Sequence, residues 1–122
     1  MPYTHKKIVV FGASQDPSKY GYKIFATLCE QGLNVAGINP KGGQVNGHDF
    51  YTNLADVPGP VEVAIMVIPP AALLPAVQAC IQANVREIWF QPGARSEESY
   101  QLAQQAGVRA INGCFMAENG FW

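Results

Sequence analysis

The most constraining feature of the sequence is a short, uninterrupted apolar segment that leads directly into a glycine-bearing turn. Residues 8–11 read Ile-Val-Val-Phe and end at Gly12. Because no polar residue alternates with the apolar ones, this segment predicts a strand buried on both faces, as in the middle of a parallel sheet. A helical pattern follows over residues 22–31 and ends at Gly32. A strand, a glycine turn and a helix start in this order form the arrangement that holds phosphate groups on backbone N–H groups.

Four further apolar segments predict strands in the same way. They cover residues 35–38, 61–68, 87–90 and 108–111. An amphipathic pattern over residues 71–83 predicts a second helix, and Ser96 is placed to cap a third. Strands that alternate with helices form parallel sheets, with right-handed crossovers and helices on both faces. The sequence therefore predicts an α/β fold: one doubly wound Rossmann-like domain over residues 1–122, with a five-stranded parallel sheet in the order 3-2-1-4-5.

The loop after the first predicted strand is the first candidate for a binding site. Ligands of open parallel sheets bind beyond the carboxyl ends of the strands. Gly12 permits a tight turn there, and Gly21 permits the close approach of either a phosphate group or the helix. Ser14 can donate a hydrogen bond to a phosphate oxygen, and Lys19 adds positive charge. With Ala13, these residues form the predicted phosphate-binding loop.

The loop after the second predicted strand narrows the class of nucleotide. The first loop lacks the G-x-G-x-x-G spacing, and the second strand ends at Asn39, Pro40 and Lys41 rather than at an acidic residue. Typical NAD sites place Asp or Glu there to bind the ribose hydroxyls, whereas a lysine favours a ribose that carries a phosphate. The candidates are NADP, with its 2′-phosphate, and coenzyme A, with its 3′-phosphate. The adjacent Gly42 and Gly43 favour a loop that folds over the ligand.

The loop after the third predicted strand offers an apolar wall. Pro69 and Pro70 lack backbone N–H donors and stiffen the chain. An adenine ring or a pantetheine chain can pack on Ile68 and Pro69. We expect the three loops to face one crevice.

Charge, cysteines and the N-terminal segment exclude several other classes. The 122 residues include eight basic and nine acidic side chains, so we expect neither nucleic-acid nor membrane-surface binding. Residues 1–7 precede no long apolar segment, which predicts neither a signal peptide nor a membrane span. The three cysteines have no metal-ligand spacing, so the expected setting is a reducing cytoplasm and no metal is predicted.

Acid–base or nucleophilic chemistry has no clear residues in the sequence. Neither His5 nor His48 has an evident carboxylate partner in the sequence, and no nucleophile–base pair is evident. We therefore predict no catalytic residues. Cys114 follows the fifth predicted strand on the ligand side, where it can contact a thiol or accept an acyl group.

The three loops together resemble those of the CoA-binding domain family, which comprises small Rossmann-like proteins related to the N-terminal domain of the succinyl-CoA synthetase α subunit. The resemblance covers roughly residues 6–118. The matching segments are residues 10–14, 20–21, 38–41, 51–58, 67–69, 89–93 and 112–114. Two features depart from the family pattern: Gly113 stands where many relatives have a basic residue, and the tail over residues 115–122 differs.

This resemblance implies a binding mode for coenzyme A and selects it over NADP. The phosphates would bind at Gly12, Ser14, Lys19 and Gly21. The adenosine end would lie beside Asn39, Pro40 and Lys41. The pantetheine path would be lined by Val67, Ile68 and Pro69.

The sequence therefore predicts a non-catalytic protein that binds coenzyme A or an acyl-CoA, with a regulatory or CoA-carrying role. The alternatives are an NADP-binding oxidoreductase and a redox or acyl-transfer protein that acts through Cys114. Phe121 and Trp122 give the tail an apolar character that favours packing either back on its own domain or on a partner, which would be a second copy or an enzyme.

Overall fold

The strands and helices of the structure, a computed structural model, lie within residues 3–122, which are the residues described below. The strands are β1 (Ile8–Phe11), β2 (Val35–Ile38), β3 (Gln44–Val45), β4 (His48–Asp49), β5 (Val63–Met66), β6 (Glu87–Phe90) and β7 (Arg109–Asn112). The helices are α1 (Tyr20–Glu30), α2 (Leu73–Gln82), α3 (Glu97–Gln105) and the single turn α4 (Phe115–Glu118). Two short 3-10 turns cover Leu54–Asp56 and Pro70–Ala72.

The main sheet has five parallel strands in the order β2-β1-β5-β6-β7, which confirms the predicted α/β class. Helices cover both of its faces. Because side chains alternate along a strand, Val9 and Phe11 pack on the side of α2 and α3, while Ile8 and Val10 pack on the side of α1 and α4. The three strands β1, β2 and β5 are buried along their whole length and contain no polar side chain, as a two-sided core requires.

The predicted strand order, 3-2-1-4-5, is wrong: counted over the five strands of the sheet, the order is 2-1-3-4-5. After β2 the chain forms the β3–β4 hairpin and returns along the outer edge of β2. There the Tyr51 N–H donates to the Gly37 carbonyl, and the Asn39 N–H donates to the Tyr51 carbonyl, both at 2.9 Å. This segment occupies the edge where the third strand was expected. β5 therefore pairs with the other edge of β1 and is buried along its whole length.

The helix boundaries follow local chemistry. α1 begins at Tyr20, two residues before its predicted start. The helix predicted over 71–83 divides into a 3-10 turn and α2, whose third residue is Pro75, so the proline lies in the first turn where it removes no helical hydrogen bond. The predicted cap of α3 is confirmed, because the Ser96 hydroxyl oxygen accepts a hydrogen bond from the Ser99 N–H at 3.1 Å.

A buried carboxylate holds the N-terminal segment against the sheet. Glu87, at the start of β6, accepts hydrogen bonds from the Tyr3 hydroxyl, from the Trp89 indole N–H at 2.8 Å and from Arg109 at 3.2 Å. Burial, and then the neighbouring Glu87 carboxylate, raise the pKa of Tyr3 to about 12. The neutral phenol is therefore the form that the folded state stabilises.

We predict that Tyr3→Phe lowers the free energy of unfolding by about 1–3 kcal/mol near neutral pH, because it removes one donor from a buried carboxylate. The pKa of this tyrosine is higher in the folded state than its ordinary value of 10, so its contribution is complete below pH 10 and is lost as the pH rises toward 12. Urea unfolding at pH 8 and pH 11 measures both effects.

Tyr20→Phe is the matched control, because the Tyr20 side chain is exposed. A difference between Tyr3→Phe and the natural protein that stays constant from pH 8 to pH 11 would contradict the assigned role of the hydroxyl.

Candidate functional site

The loops that follow β1, β2 and β5 meet at the carboxyl edge of the sheet, but they border two hollows on opposite faces rather than the one crevice that was expected. The Gly12 N–H donates to the Ile38 carbonyl at 3.0 Å, and the Val67 N–H donates to the Phe11 carbonyl at 2.9 Å. Gly12 has a φ of +93°, and a Cβ at this position would overlap the Val67 carbonyl oxygen. Only glycine lets the chain leave β1 in this direction while the loop after β5 lies against it.

Gly21 serves the approach of the helix rather than leaving open space for a phosphate group. It is buried in the first turn of α1, and a Cβ there would overlap the Gly12 carbonyl oxygen. The N-terminus of α1 is thereby held directly against the turn that follows β1. The N-terminus of a helix carries partial positive charge and free N–H groups, so this placement favours an anion at the turn.

Side chains within the first loop fix its conformation. The Ser14 hydroxyl oxygen accepts a hydrogen bond from the Asp16 N–H at 3.0 Å. The Asp16 carboxylate in turn accepts from the Ser18 N–H at 3.0 Å and from the Ser18 hydroxyl at 2.7 Å, and these bonds lower the pKa of Asp16. A hydroxyl oxygen that accepts can still donate its own hydrogen, so Ser14 keeps the ability to bind a phosphate oxygen. Lys19, the N-cap residue of α1, is exposed beside this loop.

Asn39 joins the second loop to the first. Its side-chain N–H₂ donates to the Ala13 carbonyl at 2.9 Å, while its side-chain oxygen accepts from the Lys41 N–H at 2.9 Å. The two loops also meet where the Gln44 N–H donates to the Gln15 side-chain oxygen at 2.9 Å. Ser14 and the exposed Lys41 therefore belong to one connected rim, and Asn39 acts by positioning this rim.

Two apolar hollows flank the rim, one on each face of the sheet. The first, which we call the α2-side groove, has a volume of about 250 Å³. It is lined by Phe11, Gly12, Ile38, Pro40, Thr52, Asn53, Leu54, Ile68, Ala72, Pro75, Ala76 and Ala79. The second, which we call the aromatic cavity, has a volume of about 170 Å³. It is lined by Tyr20, Ile24, Val67, Gln91, Pro92, Cys114 and Trp122.

The third predicted loop divides between these two hollows. Successive residues after a strand point to opposite faces of the sheet, so Ile68 lines the α2-side groove and Val67 lines the aromatic cavity. Pro69 lines neither hollow and is exposed at the start of the 3-10 turn. The structure therefore brings Gly12, Pro40 and Ile68 together in the groove.

Gln91 is a site residue to which sequence reasoning gave no role. It follows β6 and is 5% exposed. Its side-chain oxygen accepts from the Phe115 N–H at 2.8 Å, and its side-chain N–H₂ donates to the Cys114 sulfur at 3.4 Å. The sequence signal that could have identified Gln91 is its position as a polar residue between the end of β6 and Pro92. Gln91 fixes the start of α4, and thereby the position of Cys114 in the aromatic cavity.

The other two cysteines lie outside both hollows. Burial raises the pKa of Cys80 to about 12, and burial followed by the charge of Glu30 raises that of Cys29. Cys80 belongs to the apolar core on the α2 side of the sheet, and Cys29 packs against the core on the α1 side. Within residues 3–122, no group of three or more His, Cys, Asp or Glu side chains is placed to hold a metal ion. No helix in that same part of the chain has the length and apolar character needed to cross a membrane.

Comparison with known sequences decides the family. The sequence profile of the CoA binding domain family matches residues 6–120. The chain belongs to this family. The match covers nearly the same residues as the resemblance drawn from the loops, which is thereby confirmed.

The relatives of this CoA binding domain include parts of larger enzymes and small separate proteins. The α subunit of the ADP-forming acetate–CoA ligase II from Pyrococcus furiosus is 31% identical over 120 residues, which are 89% of this chain and 26% of that subunit. The α subunit of the ligase I of the same organism is 32% identical over 112 residues, or 84% of this chain and 24% of the subunit. The chain thus spans about a quarter of these curated relatives.

A solved structure of comparable size has the same fold. A conserved hypothetical protein from Pyrococcus furiosus is 35% identical, with a TM-score of 0.85 and coverage of 93% of this chain and 98% of that one. The acetyl-coenzyme A synthetase 1 of Candidatus Korarchaeum cryptofilum is 29% identical, with a TM-score of 0.79 and coverage of 92% of this chain and 26% of that one.

We predict that Asn39→Asp destabilises the protein by about 1–3 kcal/mol, because a carboxylate cannot donate to the Ala13 carbonyl and leaves that acceptor facing a negative charge. Urea unfolding at pH 7 measures the loss. Asn34→Asp is the matched control, since the Asn34 side chain is exposed and only its backbone carbonyl bonds to β1. Equal midpoints for the two variants would contradict the positioning role of Asn39.

Proposed function

We propose that this chain binds coenzyme A or an acyl-CoA at the rim of the sheet and that it does so without catalysing a reaction. The observation that carries the proposal is the connected rim itself. In this member of the CoA binding domain family, the hydrogen bonds of Asn39 join the turn that holds Ser14 to Lys41, and Gly21 lets the N-terminus of α1 pack against the same turn. Such an edge presents positive charge and N–H donors to a polyanionic nucleotide.

The diphosphate is proposed to lie over the turn that follows β1. Gly12 and Ala13 supply backbone without bulky side chains, Ser14 supplies a hydroxyl, and Lys19 supplies a charge at the start of α1. Gly21 contributes indirectly, because it lets α1 approach the turn. The closeness of the helix N-terminus to this turn supports the placement.

The adenosine end is proposed to occupy the α2-side groove. Pro40 and Ile68 offer apolar surface to the adenine ring, and Asn39 holds the rim beneath it. Lys41 follows Pro40 and is exposed, so its ammonium group can reach a phosphate on the ribose. The pantetheine chain then continues along Val67, Ile68 and Pro69.

The positions of the histidines support a binding role rather than a catalytic one. The His48 ring lies 6.1 Å from the Phe25 ring on the hairpin side of the fold, and the exposed His5 precedes β1. A general base has to lie within hydrogen-bond distance of the proton that it removes, and neither histidine lines either hollow.

The three free cysteines fit the reducing cytoplasm that we propose as the setting.

The proposal predicts that coenzyme A binds more tightly than dephospho-CoA in isothermal titration calorimetry. Lys41→Ala should reduce this difference by roughly 1–2 kcal/mol, which is the contribution of one exposed charge-assisted hydrogen bond. Lys7→Ala is the matched control, because Lys7 precedes β1 and so lies at the opposite end of the sheet.

Equal affinity for the two nucleotides in the natural protein would remove Lys41 from its proposed role. Competition with NADPH separates the alternative function. If NADPH displaces coenzyme A at micromolar concentration, the site is a general one for ribose phosphates and the oxidoreductase hypothesis gains support.

A further inference from the structure

The two most exposed large apolar side chains of the described chain border the same hollow. Tyr20 is 67% exposed and Trp122 is 52% exposed, and both line the aromatic cavity. Isolated apolar residues on a surface need no explanation, but two large aromatic rings at the mouth of one apolar hollow indicate a contact surface for a ligand. Trp122 lies outside residues 6–120, so the side of the cavity that it forms is not part of the segment matched by the family profile.

The cavity continues directly from the rim. Tyr20 is the residue next to Lys19 at the start of α1, and Val67 lies against Gly12 through its carbonyl oxygen. Val67 and Ile68 are consecutive and line the aromatic cavity and the α2-side groove, respectively. A chain that starts in the groove and crosses the edge over Gly12 therefore enters the aromatic cavity next.

The size of the cavity limits what can enter it. Its volume is about 170 Å³. An apolar cavity of ~150 Å³ holds one benzene molecule, or about six non-hydrogen atoms, which is the size of a butyryl thioester group. A short acyl group fits within the cavity, whereas a longer chain has to extend past the two aromatic rings into water.

The lining also selects against charge. Tyr20, Ile24, Val67, Pro92 and Trp122 offer mainly carbon surface, and no charged side chain lines the cavity. The Gln91 oxygen is bonded to the Phe115 N–H, and one N–H of its side chain is bonded to the Cys114 sulfur. A carboxylate placed in such a hollow loses hydration without gaining a cationic partner.

We propose that the aromatic cavity binds the acyl group of a short, uncharged acyl-CoA, with Tyr20 and Trp122 closing over it. This inference rests on the proposed function, because it assigns the far end of the same ligand. The proposed ligand is an acyl-CoA whose uncharged acyl group has about two to four carbons, rather than free coenzyme A or the CoA thioester of a dicarboxylic acid.

Calorimetric titration of the full chain with coenzyme A, acetyl-CoA, butyryl-CoA and succinyl-CoA tests the proposal. Each buried methylene group is worth roughly fourfold in affinity, so butyryl-CoA, which has two more of them, should bind roughly fifteenfold more tightly than acetyl-CoA. Succinyl-CoA has the same number of acyl carbons as butyryl-CoA but carries a carboxylate, and should bind at least roughly tenfold more weakly than butyryl-CoA.

Trp122→Ala should remove most of the preference for butyryl-CoA and leave the affinity for coenzyme A within roughly twofold of its natural value. Trp122→Phe, which keeps an aromatic ring, should retain the preference. Because Trp122 is exposed while Trp89 is buried, butyryl-CoA should shift the tryptophan emission of the natural protein to shorter wavelength, and Trp122→Phe should abolish this shift.

The outcomes separate the two proposals. If coenzyme A binds but the three acyl-CoAs bind no differently from it, the acyl site is wrong and the proposed function stands. A preference for butyryl-CoA that survives in Trp122→Ala also overturns the acyl site as assigned. If neither coenzyme A nor any acyl-CoA binds, both proposals fail.

Discussion

The binding edge depends on one close contact between three pieces of backbone. The chain leaves β1 at Gly12, with α1 packed against it at Gly21 and the loop after β5 packed against it at Val67. A Cβ at either glycine would overlap a carbonyl oxygen, so the approach is possible only without side chains at both positions. This contact places the N-terminus of α1 at the rim and holds the loop after β5 against Gly12, where Val67 and Ile68 face opposite hollows.

Two side-chain amides hold the neighbouring parts of the edge in place. Asn39 links the loops after β1 and β2, and Gln91 fixes the start of α4. In each amide the oxygen and one N–H are bonded within the protein, so the proposed ligand contacts come mainly from backbone groups, Ser14, exposed lysines and apolar side chains. Charged groups at the rim and apolar surface in the hollows suit the proposed ligand, which is charged at its nucleotide end and mostly apolar at the other.

The parts of the fold that could be predicted from the sequence are those set by local chemistry. Apolar segments ended by glycine or proline located all five strands of the sheet, and Ser96 marked the start of α3. The strand order could not be predicted with the same success, because it depends on Tyr51 pairing with the edge of β2, and nothing local to Tyr51 signals that contact. The complete burial of β5 agrees with its all-apolar sequence, which favours a central place over an edge.

The sequence located the loops of the candidate site but not the arrangement of their side chains. The loops were found from their glycines, their lysine and their prolines, but the placement of Val67 and Ile68 in different hollows depends on the three-dimensional course of the chain.

The most direct test of the claim that coenzyme A binds at the rim is an amide chemical-shift titration with coenzyme A. The account predicts that the largest changes occur at Gly12, Ser14, Lys41 and Ile68, with little change at Arg86 and Gly107 at the opposite end of the sheet. Changes concentrated at that opposite end, or absent altogether at saturating ligand, would contradict it.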